Sequence, residues 1–165
     1  MERGGRRSHV QYRTETLERS VAEALVIPCP HCDTLNRIPA ERRADRGKCG
    51  SCGRPLFTGH PVALTTARFD RHAAAELPLL VDFWAAWCGP CRAMAPVFEA
   101  AASQFEPRVR FAKVDSDAEP QLAQRYNVRA IPTLILFRGG SEIARHAGAM
   151  PGGALSQWVS AQLSG

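Results

Sequence analysis

The chain has 165 residues, of which 45% are hydrophobic and 22% are charged. This composition is globular and leaves room for about one ordinary domain with a small additional module, which excludes a chain that is disordered throughout. The formal net charge at pH 7 is +5, and most of the basic excess lies in the first 60 residues. A basic segment can bind nucleic acid or membranes, but it can also offset an anionic metal site, and we favour the second explanation.

No apolar segment approaches the roughly 18–20 residues of a membrane span, and the N-terminus lacks the apolar core of a signal peptide. We therefore expect a cytoplasmic protein that does not associate with membranes. In a reducing cytosol, paired cysteines serve as metal ligands or redox groups rather than as static disulfides. The six cysteines form three Cys-x-x-Cys pairs, namely Cys29/Cys32, Cys49/Cys52 and Cys88/Cys91.

Residues 1–20 lack clustered apolar residues and are predicted to be a disordered basic extension. Residues 21–57 contain the first four cysteines in the spacing C-x2-C-x16-C-x2-C, typical of a zinc ribbon, and the predicted ligands of one structural Zn²⁺ are Cys29, Cys32, Cys49 and Cys52. So short a segment has little core, and metal binding would provide much of its folding free energy. A second pair of redox dithiols and an iron–sulfur centre are the alternatives.

A hinge is predicted at residues 58–60, followed by a second domain at residues 61–165. The predicted strands are Val62–Leu64, Leu79–Ala85, Val109–Val114, Thr133–Phe137 and Glu142–His146. The first predicted helix begins at Thr65 or Thr66 and runs towards Ala75. The other predicted helices are Cys91–Phe105, with a kink at Pro96, then Pro120–Tyr126 and Ala154–Leu163. The run Arg138-Gly139-Gly140-Ser141 predicts a hairpin turn. This order of elements predicts an α/β fold with a central mixed sheet and helices on both faces.

The third cysteine pair lies between a buried strand and a helix, in the sequence Trp87-Cys88-Gly89-Pro90-Cys91. Unpaired N–H groups and the dipole at a helix N-terminus favour a thiolate and lower the pKa of the first thiol. A thiolate is the species that attacks a disulfide, and a neighbouring thiol can then displace the product. The pattern predicts thiol–disulfide exchange, with Cys88 as the nucleophile and Cys91 as the resolving thiol.

Asp82 is a single carboxylate within the apolar strand that precedes this pair. Burial of a charged carboxylate is unfavourable and raises its pKa. A carboxylate with a raised pKa can accept the proton that Cys91 loses when it attacks the mixed disulfide. Asp82 is therefore the candidate base.

The second domain resembles thioredoxin over roughly residues 60–163. The matching segments are Val81-Asp82-Phe83-Trp84-Ala85, Trp87-Cys88-Gly89-Pro90-Cys91, Lys113-Val114-Asp115, Ile131-Pro132-Thr133 and Gly148. The resemblance implies a thioredoxin fold, in which Lys113 lies near Asp82 and helps to set its ionisation, and in which Pro132 follows a cis peptide bond. It further implies an apolar rim for docking of disulfide-containing substrates, formed by Trp87, Gly89, Pro90, Ile131, Pro132, Gly148 and Ala149.

A zinc ribbon joined to a Cys-Gly-Pro-Cys domain resembles the thioredoxin 2 type of bacterial thioredoxin. This resemblance implies a protein-disulfide reductase that is itself reduced by an NADPH-dependent thioredoxin reductase. The chain has no Gly-rich dinucleotide motif, so we expect it to bind neither flavin nor nicotinamide. Two alternatives remain: a redox sensor whose ribbon releases zinc on oxidation, and a ribbon that binds nucleic acid or a partner protein. The ribbon lacks an obvious set of aromatic stacking residues, which disfavours nucleic acid.

Overall fold

The computed structural model describes residues 24–165. The extension predicted for residues 1–20, and the first residues of the predicted ribbon, lie outside this range. The ribbon begins with an antiparallel hairpin of β1 (Leu25–Pro28) and β2 (Leu35–Ile38), followed by a 3₁₀ helix (Ala40–Asp45). The two Cys-x-x-Cys pairs lie in turns, the first between β1 and β2 and the second between Lys48 and Pro55, which form an isolated antiparallel bridge.

The remaining elements alternate as the sequence predicts. The strands are β3 (Val62–Ala63), β4 (Leu79–Trp84), β5 (Arg110–Asp115), β6 (Thr133–Arg138) and β7 (Ser141–Ala147). The helices are α1 (Thr66–Ala73), α2 (Gly89–Phe105), α3 (Pro120–Arg125) and α4 (Gly152–Leu163). Gly139 and Gly140 form the predicted hairpin turn, with φ of 57° and 83°. None of the helices in residues 24–165 is long and apolar enough to cross a membrane.

The strands form one mixed sheet in the order β3-β5-β4-β6-β7, confirming the predicted class. Strands β3, β5 and β4 are parallel, whereas β6 is antiparallel to β4 and β7 to β6. Alternate residues of β4 pack into two hydrophobic cores, one on each face of the sheet, because successive side chains of a strand point to opposite faces. Leu79, Val81 and Phe83 pack with α1 and α3, and Leu80 packs with α2 and α4. Asp82 is two residues from Leu80 and therefore lies on the α2 face.

Helix α1 begins at Thr66, within the predicted range, but the predicted threonine cap is not formed. Thr65 occupies the N-cap position, but its side chain forms no capping hydrogen bond. The carboxylate of Glu119 instead accepts hydrogen bonds from the backbone N–H and the hydroxyl of Thr66, at 3.0 and 2.5 Å. The cap therefore comes from a residue 53 positions along the chain, which local sequence cannot indicate. The helix runs towards Ala75 as predicted: α1 ends at Ala73, and the backbone N–H groups of Ala74 and Ala75 still donate to carbonyls of its last turn.

The ribbon packs against the edge of the sheet at which β4 and β5 begin. Arg110, the first residue of β5, has only 3% of its surface exposed and donates hydrogen bonds to the carbonyls of Pro28 and Leu56, at 3.3 and 2.5 Å. Its guanidinium also lies over the Phe57 ring and 3.6 Å from Glu106, at the end of α2. Two buried ribbon carbonyls thus accept hydrogen bonds from a side chain of the second domain.

A second polar contact joins the ribbon to α1. Asp33, which has a φ of 62°, accepts hydrogen bonds from the guanidinium of Arg68 at 2.7–3.0 Å and lies 2.8 Å from the imidazole of the buried His72. The pKa of Asp33 falls to about 2, mainly because of the hydrogen bonds from Arg68. Leu77, just before β4, completes the small apolar core of the ribbon. The ribbon therefore shares its core with the second domain.

Candidate redox site and metal centre

Cys88 and Cys91 form a disulfide at the N-terminus of α2, with their Cα atoms 5.2 Å apart. Cys88 is the N-cap residue, and its Sγ accepts a hydrogen bond from the backbone N–H of Cys91 at 3.2 Å. Both cysteines are buried. The first turn of α2 contains Gly89 and Pro90, and proline suits this position because its missing N–H would have no partner within the helix. The geometry places an N–H donor on one sulfur of the pair.

The loop before β6 approaches the sulfur of Cys88. The carbonyl oxygen of Ile131 lies 3.7 Å from Cys88 Sγ, and the bond between Ile131 and Pro132 is cis, as the resemblance implied. Gly148, with a φ of 101°, donates its backbone N–H to the carbonyl of Pro132 at 2.8 Å. The structure therefore brings the segments around Cys88, Pro132 and Gly148 together. Ala149, next to Gly148, is exposed.

The other predicted rim residues surround the cysteine pair. Gly89 and Pro90 are exposed, and the side chain of Trp87 has 69% of its surface exposed. The indole N–H of Trp87 donates to a carboxylate oxygen of Asp117 at 2.8 Å. Sequence reasoning missed Asp117, because this contact joins two loops that lie 30 residues apart. The hydrogen bond holds a large apolar ring at the surface beside Cys88.

Asp82 is completely buried, and neither of its carboxylate oxygens has a hydrogen-bond partner within the described residues. Burial raises its pKa from 3.8 to about 7, and the charge of Lys113 opposes this rise. Lys113 is the residue opposite Asp82 in the β4–β5 pairing. Its ammonium group lies over the Trp84 ring, 4.7 Å from the centroid. The carboxyl group can therefore exchange a proton near neutral pH, on the face of the sheet that α2 covers.

The four ribbon cysteines converge on one point. Their sulfur atoms all lie within 4.8 Å of one another, with Cys29–Cys52 at 3.7 Å and Cys32–Cys49 at 3.6 Å. A tetrahedral zinc ion with Zn–S bonds of about 2.3 Å separates its sulfurs by about 3.8 Å. The donor set and its spacing therefore fit Zn²⁺.

Hydrogen bonds to the sulfurs support the same interpretation. The backbone N–H groups of His31 and Ser51 each point to a cysteine sulfur at 3.4 Å, and the side-chain amide of Asn36 points to Cys49 Sγ at 3.4 Å. The pKa of Cys49 falls to about 6, first because of the backbone N–H of Cys52 and next because of Asn36. Burial raises the pKa of Cys29 to about 11, so the protein alone would not keep it as a thiolate. A bound divalent cation would supply the missing positive charge.

Comparison with known protein families agrees with the geometry. The thioredoxin family model matches residues 60–161, which include the cysteine pair, Asp82 and the cis-proline loop. The chain belongs to the thioredoxin family. A second family model, described as the N-terminal region of thioredoxin 2, matches residues 28–54 and covers the four ribbon cysteines. The protein is accordingly a thiol–disulfide oxidoreductase with a zinc-ribbon segment.

Individual thioredoxins are similar over most of their length. Thioredoxin C-3 of Corynebacterium nephridii is 42% identical over 140 residues, which cover 84% of this chain and 96% of that protein. Thioredoxin 1 of Nostoc sp. is 46% identical over 89 residues, or 54% of this chain and 83% of that protein. Among solved structures, a mutant thioredoxin from Halobacterium salinarum superimposes with a TM-score of 0.58 and 31% identity, covering 64% of this chain and 92% of that one.

Proposed function

We propose that this protein is a protein-disulfide reductase in which Cys88 attacks substrate disulfides and Cys91 releases the product. The observation that carries the proposal is the placement of Cys88 Sγ at the N-terminus of α2, where it accepts the N–H of Cys91. Helix N-termini stabilise anions, and this position favours the thiolate form of Cys88 in the reduced protein.

The exchange proceeds in two displacements. The Cys88 thiolate attacks one sulfur of the substrate disulfide, the substrate bond breaks, and the other substrate sulfur leaves as a thiolate. Cys91 then attacks Cys88 Sγ, which forms the Cys88–Cys91 disulfide and expels the second substrate thiolate. Two electrons pass to the substrate, and a reductase must return two electrons to the cysteine pair. We infer that this donor is an NADPH-dependent thioredoxin reductase.

Asp82 is the proposed base for the second displacement. Cys91 must lose its proton to attack, and a carboxyl group with a pKa of about 7 can accept a proton at neutral pH. Its burial on the α2 face, without a hydrogen-bond partner in the described chain, leaves its oxygens available for this transfer. Lys113 acts through Asp82, since its positive charge favours the carboxylate.

The proposed docking surface is the rim around Cys88. The exposed Trp87 ring supplies apolar area, and the loops that carry Pro132 and Gly148 border the sulfur on another side. An extended substrate can pair its backbone with such a loop and place its disulfide against Cys88. The remaining rim residues of this proposal are Gly89, Pro90, Ile131 and Ala149.

The ribbon cysteines are proposed to hold one structural Zn²⁺, which organises the ribbon. A specific observation also supports a sensor role for this site: Cys32 and Cys52 are exposed, whereas Cys29 and Cys49 are buried. Oxidants can therefore reach two of the four thiolates. Titration with peroxide distinguishes the two roles, because a purely structural zinc stays bound at doses that fully oxidise Cys88 and Cys91. We place these reactions in the cytoplasm, where a reducing donor is present.

The reductase proposal is tested with Cys91→Ser. We expect this variant to accumulate a covalent adduct between Cys88 and a disulfide substrate, since the first displacement is intact and the second is lost. Mass spectrometry of the adduct identifies the linked cysteine, and Cys88→Ser is the control that should form none. An equal amount of adduct in the Cys88→Ser control, or none in either variant, would contradict the assigned roles.

The direction of electron flow is tested by the reduction potential of the cysteine pair, measured by equilibration with defined thiol buffers. A value near about −270 mV is expected for a reductant of the thioredoxin type. A value near about −120 mV, typical of strong disulfide-forming oxidants, would contradict a reductase.

A further inference from the structure

A cleft of about 430 Å³ lies where the ribbon meets the second domain. The ribbon contributes Leu25 and Arg43 to it, and the second domain contributes the segment before β4, the segment between α2 and β5, and the ends of β6 and α4. Its apolar lining consists of Leu25, Leu77, Pro78, Pro107 and Leu163. The volume lies in the range of small-molecule sites, which commonly form at domain junctions.

Three arginines line this apolar surface. Arg43 comes from the 3₁₀ helix, Arg108 from the segment before β5, and Arg138 from the end of β6. The lining residues within the described chain include one acidic side chain, that of Glu76, so positive charge predominates. The Arg108 guanidinium lies over the Phe105 ring, 5.3 Å from the centroid, a contact that limits its freedom. Three separate parts of the chain therefore each contribute an arginine to the lining of one cleft.

We propose that this junction cleft binds a small organic phosphate, with the phosphate against Arg108 and Arg138 and the uncharged part of the molecule on the apolar lining. Guanidinium groups donate paired hydrogen bonds that match phosphate oxygens. An apolar lining favours a ligand that also has a ring or hydrocarbon part, because a bare phosphate gains nothing from such a surface.

The position of the cleft separates it from the redox chemistry. Its lining includes Pro78, directly before β4, whereas Cys88 follows the other end of that six-residue strand, about 20 Å away. A ligand in the cleft would contact both the ribbon and the second domain. Such a ligand therefore stabilises the docked ribbon without touching the cysteine pair.

The experiment is calorimetric titration of the zinc-loaded full chain with ADP at a fixed ionic strength. Adenosine lacks the phosphates and inorganic phosphate lacks the ring, so these two probes separate the contributions. The variants are Arg108→Gln and Arg138→Gln, and the matched control is Arg129→Gln, which removes an exposed arginine outside the cleft. We expect saturable ADP binding that each cleft variant weakens about tenfold, since each loses a charge-assisted hydrogen bond. The control should bind as the unmodified protein does.

Three results would overturn the proposal: no saturable ADP binding up to about 10 mM, equal weakening by Arg129→Gln, or adenosine binding as tight as that of ADP. Inorganic phosphate that binds as tightly as ADP would overturn the role of the apolar lining. Disulfide reduction with dithiothreitol as donor should be unchanged in both cleft variants, which shows that they are folded. Binding can then be judged separately from the redox function.

Discussion

Replacement of Arg110 by methionine tests whether the ribbon and the second domain unfold as one unit. Methionine retains an unbranched apolar chain but removes the guanidinium, so the carbonyls of Pro28 and Leu56 lose their donors and the buried Glu106 loses its ion pair. Each unpaired buried polar group costs about 1–3 kcal/mol, and breaking a buried ion pair costs about 3–5 kcal/mol. Glu106 keeps the backbone N–H of Gly59, at 2.7 Å, and can also take up a proton. We therefore expect the free energy of unfolding to fall by about 3–5 kcal/mol.

The assay is urea unfolding of the full chain with Co²⁺ in the four-cysteine site, followed by two signals. Absorbance of the cobalt–thiolate site reports the ribbon, and tryptophan fluorescence reports the second domain, because all three tryptophans lie there. The two transitions should coincide in the unmodified protein and separate in Arg110→Met, with the ribbon unfolding first. The control is Arg125→Met. The Arg125 side chain is 42% exposed and its guanidinium bonds to Asp70 at 2.7 Å, so this substitution should cost less than about 1 kcal/mol.

A loss below about 1 kcal/mol in Arg110→Met would refute the argument that the ribbon carbonyls depend on this side chain. So would separate transitions in the unmodified protein, because they would show that the ribbon unfolds independently of the sheet edge on which it packs.

Three further predictions concern the redox and metal sites. Asp82→Asn should be more stable than the unmodified protein at pH 8, by up to about 4 kcal/mol, when unfolding is measured between pH 4 and 8. With a pKa of about 7, native Asp82 keeps a proton that the unfolded state loses above about pH 4, so the stability of the unmodified protein falls as pH rises from about 4 to 7. The variant has no carboxyl group here and should not show this fall in stability. Stability curves of the two proteins that run parallel over this range would contradict the prediction. Lys113→Met should raise the pKa of Asp82 further and shift the pH profile of mixed-disulfide release upward by about one unit in stopped-flow measurements, whereas an unchanged profile would exclude electrostatic coupling. Cys29→Ser should lose zinc, as measured by metal analysis, and become less stable. It should still reduce disulfides at temperatures where it is folded, because the ribbon and the Cys88–Cys91 pair lie at opposite ends of β4. Complete loss of reductase activity in the folded variant would contradict this separation.

The sequence predicted the redox pair and the fold class because their signals are local. The residues next to a Cys-x-x-Cys pair are enough to place it between a buried strand and a helix. The alternation of strands with helices along the chain indicates the mixed sheet. The burial of Asp82 followed from its apolar neighbours in the strand. The sulfur cluster followed from ligand spacing, since two knuckles with this separation can close a tetrahedron.

Several features required the tertiary structure because they join residues far apart in the chain. The cap of α1 by Glu119, the contact between Trp87 and Asp117, and the placement of Ile131 beside Cys88 all arise from chain crossings. No local pattern distinguishes Arg110 from an exposed arginine at the start of a strand. Its burial is decided by the ribbon that packs over it.

The sequence by itself thus determined the residue types and the short spacings of the two cysteine sites, on which the proposed redox reactivity and metal binding depend. Only the tertiary structure decided how these sites relate to each other, namely at opposite ends of β4, with Asp33 and Arg110 joining the ribbon to the second domain. The physical reason is that side-chain packing and buried hydrogen bonds depend on which distant surfaces meet. Those surfaces meet only when the sheet has formed.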